Sequence, residues 1–143
     1  MSSQQQRPQI PSDMKAFNAR LIEEFRAHRG ELTGQMAGRQ LMLLTTKGRK
    51  SGHQRTVVIG YRPFRGEFAA IASNNGAPKP PSWFLNLEKD PAATVEVGPE
   101  KFDVRARVAT AQEREEAAKL IDYLAPQQAK AGREIPVVVL EKV

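Results

Sequence analysis

Six short stretches of apolar or alternating residues follow Gln40, and most are joined by connections too short to hold a helix. They are Gln40–Thr46, Arg55–Tyr61, Phe68–Ser73, Ala93–Val97, Lys101–Val108 and Ile135–Leu140. A parallel neighbour needs a crossover of about a dozen residues or more, so tight links restrict such strands to antiparallel pairing. An open antiparallel sheet leaves two reactive edges, and closure removes them. The pattern therefore predicts a mainly β chain with helices (α+β), built as a closed or nearly closed barrel of about six antiparallel strands with peripheral helices. Pro136 opens the last stretch, where a missing N–H is tolerated.

Three helices accompany the strands. Met14, Phe17, Leu21 and Phe25 recur at three- and four-residue steps, predicting an amphipathic helix from Asp13 to Arg29, with Ser12 or Asp13 as N-cap and Gly30 as stop. Ser82–Leu87 reads as a short helix between Pro80-Pro81 and Pro91. Thr110–Leu124 opens on a capping box, Thr110 with Glu113. The remaining residues, 1–12, form a polar, Gln-rich segment expected to be a disordered tail ahead of a single domain, 13–143. That tail lacks the apolar core of a secretory signal, and no run approaches the roughly 18 apolar residues of a membrane span. A cytoplasmic location is expected.

Between Leu32 and Gly66 there is no acidic residue, yet there are seven basic ones: Arg39, Lys47, Arg49, Lys50, Arg55, Arg62 and Arg65. The whole chain carries a formal charge of +6, so this stretch accounts for the excess. At its centre Gly48-Arg49-Lys50-Ser51-Gly52 forms a glycine-bracketed basic turn. Summed positive charge concentrates anionic partners, and a turn of this kind can aim backbone N–H groups at a phosphate. The spacing is neither that of a P-loop nor that of a dinucleotide-binding fingerprint. On spacing alone, a solvated hairpin tip whose cations discourage edge pairing explains it equally well.

A second element runs from Ser73 to Leu87, where a polar loop with Asn74, Asn75 and Gly76 leads into a helix bearing the sole tryptophan, Trp83. Trp83 is equally readable as the wall of a flat pocket or as core; Phe84 and Leu85 read as core. Other chemistry is excluded or weakly indicated. With no Cys and no paired His motif, a metal site is not expected. No Gly-x-Ser-x-Gly elbow is present. An enzyme with this inventory needs a cofactor for its hard step.

Leu43-Leu44-Thr45-Thr46-Lys47-Gly48-Arg49-Lys50-Ser51-Gly52, then Arg55, Ala72-Ser73, Pro81-Ser82-Trp83-Phe84-Leu85-Asn86-Leu87 and Arg133-Glu134-Ile135-Pro136-Val137-Val138-Val139-Leu140 together resemble the deazaflavin-dependent nitroreductase family of actinobacteria. The resemblance runs in order from about Leu41 to the C-terminus. It implies a split β-barrel of the FMN-binding type and coenzyme F420, a deazaflavin with a phosphodiester and a polyglutamate tail. By resemblance, Arg49, Lys50, Ser51 and Arg55 bind the phosphate and tail. Ser73, Asn74, Asn75 and Trp83, with backbone near Val58 and Ile59, line the ring, and Ser73 is the candidate hydrogen-bond or proton donor to the acceptor. The implied reaction is hydride transfer to a small conjugated acceptor: a quinone, an enone or a nitro-aromatic.

The chain departs from that family's best-known branch at three places. The Tyr-rich segment before the final strand is shortened to Lys119–Arg133 with only Tyr123, Asn74 stands where Lys is frequent, and Phe84 stands where Tyr is frequent. The alternative reading is therefore a non-catalytic protein of the same fold that binds a deazaflavin, a flavin or a lipid. FMN is also flat and anionic; the basic excess suits the longer polyanionic tail better. A nucleic-acid partner is not expected, because few aromatics interleave with the basic residues. The first helix is expected to border the pocket mouth or to touch a membrane surface, and the oligomeric state stays open.

Overall fold

The computed structural model describes residues 14–33 and 38–143. The expected tail and both N-cap candidates, Ser12 and Asp13, lie outside them. Helix α1 (Met14–Ala27) is followed by β1 (Leu41–Lys47), β2 (Gln54–Gly60), β3 (Arg62–Phe64) and β4 (Glu67–Ile71). Then come α2 (Ser82–Lys89), β5 (Ala92–Val97), β6 (Glu100–Val108), α3 (Ala111–Leu120), α4 (Leu124–Ala131) and β7 (Val137–Lys142).

All strand pairs are antiparallel, in the order β2-β1-β5-β6-β7-β4-β3. Seven strands form rather than six. The addition is β3, where Pro63 and Gly66 predict only a turn. It is an edge strand paired with β4 alone, so one side of it needs no ladder bonds and Pro63 is accommodated. Strands β2 and β3 stand at opposite ends of this order, yet only Tyr61 separates them in the chain. The sheet must therefore curl until its two ends meet at Tyr61. The Tyr61 ring meets Phe68 of β4 edge-on at 5.8 Å. This is the curled half-barrel expected of a split barrel.

Side-chain alternation divides the core. Met42 and Leu44 of β1, Phe68 and Ala70 of β4, and Val138 and Leu140 of β7 point into the barrel, where Trp83, Phe84 and Leu87 of α2 join them. The opposite faces are also covered. Val137 and Val139 pack under α3 and α4 with Ile121 and Leu124. Leu43 packs with Phe25 of α1, and Leu21, Ile22, Leu41 and Val58 surround them. Strands buried on both faces read as continuous apolar runs, which is why Leu41–Leu44 and Val137–Leu140 do not alternate.

The helix expected over Thr110–Leu124 stops at Leu120, and α4 was not expected at all. Pro126 discouraged a helix there. It lies in the first turn of α4, where an N–H has no intrahelical acceptor anyway. Gly132 ends the helix in the left-handed region at φ 67°.

Glu113 ties α3 to the sheet. Its backbone N–H donates to Thr110 Oγ1 at 3.2 Å, its carboxylate accepts from Thr110 N at 2.9 Å, and Arg107 of β6 donates to both its oxygens at 2.7 and 2.8 Å. The Arg107 guanidinium and the cap N–H hold the Glu113 carboxyl down to about 2, against an ordinary value of 4.5. A carboxyl depressed by folding stabilises the protein above its unfolded pKa, and that contribution fades as the pH falls toward the folded pKa. Glu113→Gln is therefore expected to lower the melting temperature at neutral pH. The gap between the two proteins should close between about pH 4.5 and pH 2, where wild-type Glu113 becomes a neutral group of the same shape. Melting curves across that range check it.

Candidate functional site

Two cavities lie side by side over β2. The first, of about 690 Å³, is lined by Val57–Gly60 of β2, Ser73–Asn75, Trp83, and Tyr123 and Gln127 at α4. The second, of about 640 Å³, is lined by Gly48–Ser51, Gln54–Val57, Ser82, Trp83 and Asn86. Asn18 of α1, Val57 and Trp83 border both, so the cavities form one bent groove with Trp83 at its elbow. Every site residue predicted from the sequence lies on it. Arg49, Lys50, Ser51 and Arg55 line the second cavity; Val58, Ile59, Ser73, Asn74, Asn75 and Trp83 line the first.

The β1–β2 hairpin is shaped by its own turn. Gly48 N donates to His53 O and Gly52 N to Gly48 O, both at 2.8 Å. A Cβ at Gly48 would sit 3.1 Å from both His53 O and Ser51 Oγ, so that position has little room for a side chain. Ser51 Oγ accepts from His53 N at 3.1 Å and thus braces the turn besides facing the cavity.

The seven cations of the acid-free stretch do not all converge. Arg65 pairs with Glu116 of α3 at 2.6 Å, and Arg62 pairs with Asp122 at 3.3 Å. Arg49 is held by α2: its N–H and its Nη1 donate to Asn86 Oδ1 at 3.1 and 3.0 Å, and Nη1 reaches Ser82 O. Lys50 and Arg55 are exposed and have no hydrogen bond or ion pair among the described residues. These two are the cations left for an external anion.

Trp83 satisfies both readings at once. It is 7% exposed within the barrel core, edge-on to Phe84, and its remaining surface faces the groove. Phe84 is core, as expected. The loop before α2 takes an unusual path: Asn74, Asn75 and Gly76 all adopt positive φ, at 51°, 56° and 79°. Asn tolerates this region better than other side chains. Gly76 is required, since a Cβ there would lie 3.2 Å from Lys130 Cβ of α4. Strained backbone of this kind persists only where surrounding structure fixes it.

Arg133 does much of that fixing. Its guanidinium donates to Ala72 O, Ser73 O, Ala77 O and Lys79 O at 3.1–3.2 Å. Neither Arg133 nor Asn86 was singled out from the sequence. Asn86 is 3% exposed and donates to Thr46 Oγ1 at 3.0 Å while accepting from Arg49. The available signal was an amide inside the otherwise apolar Trp83–Leu87 segment.

Residues 19–142 match the sequence model of the family described as F420H(2)-dependent quinone reductase. The chain belongs to this family. An F420H(2)-dependent quinone reductase of Mycobacterium tuberculosis is 30% identical over 112 residues, which cover 71% of this chain and 72% of that relative. Among solved structures, an F420-H2 dependent reductase superposes with a TM-score of 0.64 at 36% identity, covering 72% of this chain and 95% of that one. A domain-swapped dimer superposes with a TM-score of 0.67 at 32% identity, covering 92% and 100%. The family's cofactor is coenzyme F420, and the groove fits it. Its apolar floor and aromatic elbow suit a flat ring, and its unpaired cations suit a polyanionic tail.

Proposed function

We propose that this chain reduces quinones with coenzyme F420, holding the deazaflavin ring in the first cavity and the phosphodiester and polyglutamate tail on the Gly48–Gly52 hairpin. The observation that carries this is the continuity of the groove. An aromatic-walled cavity and a pair of uncommitted cations share Val57 and Trp83. When bound and reduced, the deazaflavin supplies a hydride; a quinone that takes it up with a proton becomes a hydroquinone.

The chain's own residues do the positioning. Lys50 and Arg55 anchor the tail with charge-assisted hydrogen bonds. Val57, Val58 and Ile59 offer an apolar floor, Trp83 a wall, and together they exclude water from the ring. Arg133 keeps the Asn74–Asn75 strap in place beside it. Ser73 is buried at the cavity wall, where its hydroxyl is placed to hydrogen-bond the acceptor oxygen that gains charge.

α1 borders the groove through Asn18, while its Leu21, Ile22 and Phe25 pack inward. No described helix is long and apolar enough to cross a membrane.

Mixing the purified protein anaerobically with reduced coenzyme F420 and menadione tests the proposal. Menadione-dependent oxidation of the cofactor is expected. Quenching of Trp83 fluorescence by the cofactor without such oxidation would favour the binding-protein reading. Titration calorimetry should give tighter binding of coenzyme F420 than of FMN, because FMN brings one phosphate to two cations.

A further inference from the structure

Two buried polar atoms have no partner among the described residues: the hydroxyl of Tyr123 and the side-chain oxygen of Gln127. Both residues line the first cavity, and neither touches the second. They stand four apart at the start of α4, with Gln127 N donating to Tyr123 O, so they share one helix face. A buried donor or acceptor left unmade costs its full desolvation, and native structures carry few. Finding both on one wall of one cavity points to a ligand that completes them.

Nothing nearby in the chain does so. The Tyr123 hydroxyl lies against Gly60, close enough that a Cβ there would sit 3.0 Å away. Arg62 packs over the Tyr123 ring at 5.1 Å, but its own donors go to Tyr61 O, Leu120 O and Asp122. Arg62 thus holds the ring in place without serving its hydroxyl. Burial pushes the Tyr123 pKa up, so the phenol remains a donor at neutral pH. The pair offers one O–H donor and one amide acceptor side by side. The strap asparagines Asn74 and Asn75 already place amides at the cavity for the cofactor's own polar edge, which leaves the α4 pair for the second substrate.

We infer that Tyr123 and Gln127 form an acceptor subsite selective for quinones that carry a hydrogen-bond donor, an amino or neutral hydroxyl group, on the carbon next to a carbonyl. The carbonyl accepts from Tyr123 and the neighbouring donor is received by Gln127 Oε1. This rests on the quinone-reductase reading above.

The test compares 2-amino-1,4-naphthoquinone with menadione, which carries a methyl of similar size at the same position. The ratio of kcat/KM for the two is measured in wild type, Tyr123→Phe and Gln127→Leu; comparing ratios cancels the difference in reduction potential. Each variant is expected to lower the ratio about tenfold. Calorimetry of the aminoquinone against protein saturated with oxidised coenzyme F420 should show the same loss without turnover. Unchanged ratios and unchanged affinity overturn the inference. So does a tenfold loss of cofactor affinity in both variants with the two quinones falling in parallel, since the pair would then serve the cofactor. If wild type oxidises the cofactor with neither quinone, the functional reading fails, while the calorimetric comparison still decides the subsite.

Discussion

Replacing Lys50 or Arg55 with Ala is expected to weaken coenzyme F420 binding by about 10- to 150-fold each, with little change in the melting temperature. A hydrogen bond to a charged group contributes about 1.5–3 kcal/mol, and about 1.4 kcal/mol is a factor of ten in affinity. Neither side chain has a partner among the described residues, so removal strands no buried group and costs the fold little. Arg65→Ala is the control from the same stretch. It breaks the 2.6 Å pair with Glu116, so it should cost stability and leave cofactor affinity unchanged. Added salt should weaken wild-type binding more than binding by the Lys50→Ala, Arg55→Ala double variant, because exposed charges are screened. Calorimetry at two ionic strengths gives both numbers. Native affinity in both single variants would place the anionic end of the cofactor away from this hairpin.

The contrast between Arg55 and Arg65 shows where the sequence could be read and where it could not. Local signals were legible. The Gly48–Gly52 turn, the capping box at Thr110 and the charged-apolar alternation of β6 depend on neighbours in the chain, and each appears where its pattern put it. Contacts across long separations carry no periodicity. The partners that retire Arg62 and Arg65 from the anion site, Asp122 and Glu116, lie 60 and 51 residues downstream. Arg133 reaches carbonyls 54 to 61 residues upstream. Carbonyls are present at every position, so no residue type marks the ones it binds. β3 and α4 were missed for a different reason. Pro63 and Pro126 are breakers in general, and only the edge position of one and the first-turn position of the other make them acceptable. The strap was legible as a loop, but its run of positive φ follows from packing against Lys130 and Gln127 of a helix the sequence did not announce.

Asn86→Leu is expected to cost about 2–4 kcal/mol of stability and to weaken cofactor binding about tenfold, although Asn86 itself need not touch the anion. The amide joins three things at once: the Thr46 hydroxyl of β1, the Arg49 backbone N–H of the hairpin and the Arg49 guanidinium. Thr46 is 2% exposed, so water cannot readily replace the lost bond. A leucine fills the volume but strands the Thr46 hydroxyl and the Arg49 N–H, at about 1–3 kcal/mol for each buried unpaired group. It also frees the turn that presents Lys50, which is the route to weaker binding. Asn86→Asp separates the two effects. A carboxylate still accepts both Arg49 donors, and the Thr46 hydroxyl can rotate to donate. The hairpin should therefore stay in place with a smaller loss of stability. The new negative charge beside Arg49 should nevertheless reduce affinity for the anionic tail, and this part of the loss should shrink with salt. Denaturant unfolding paired with calorimetry on both variants reads the two quantities. Asn86→Leu with wild-type stability and affinity would show that the hairpin holds its shape without α2, and that the cationic turn is organised by its own glycines alone.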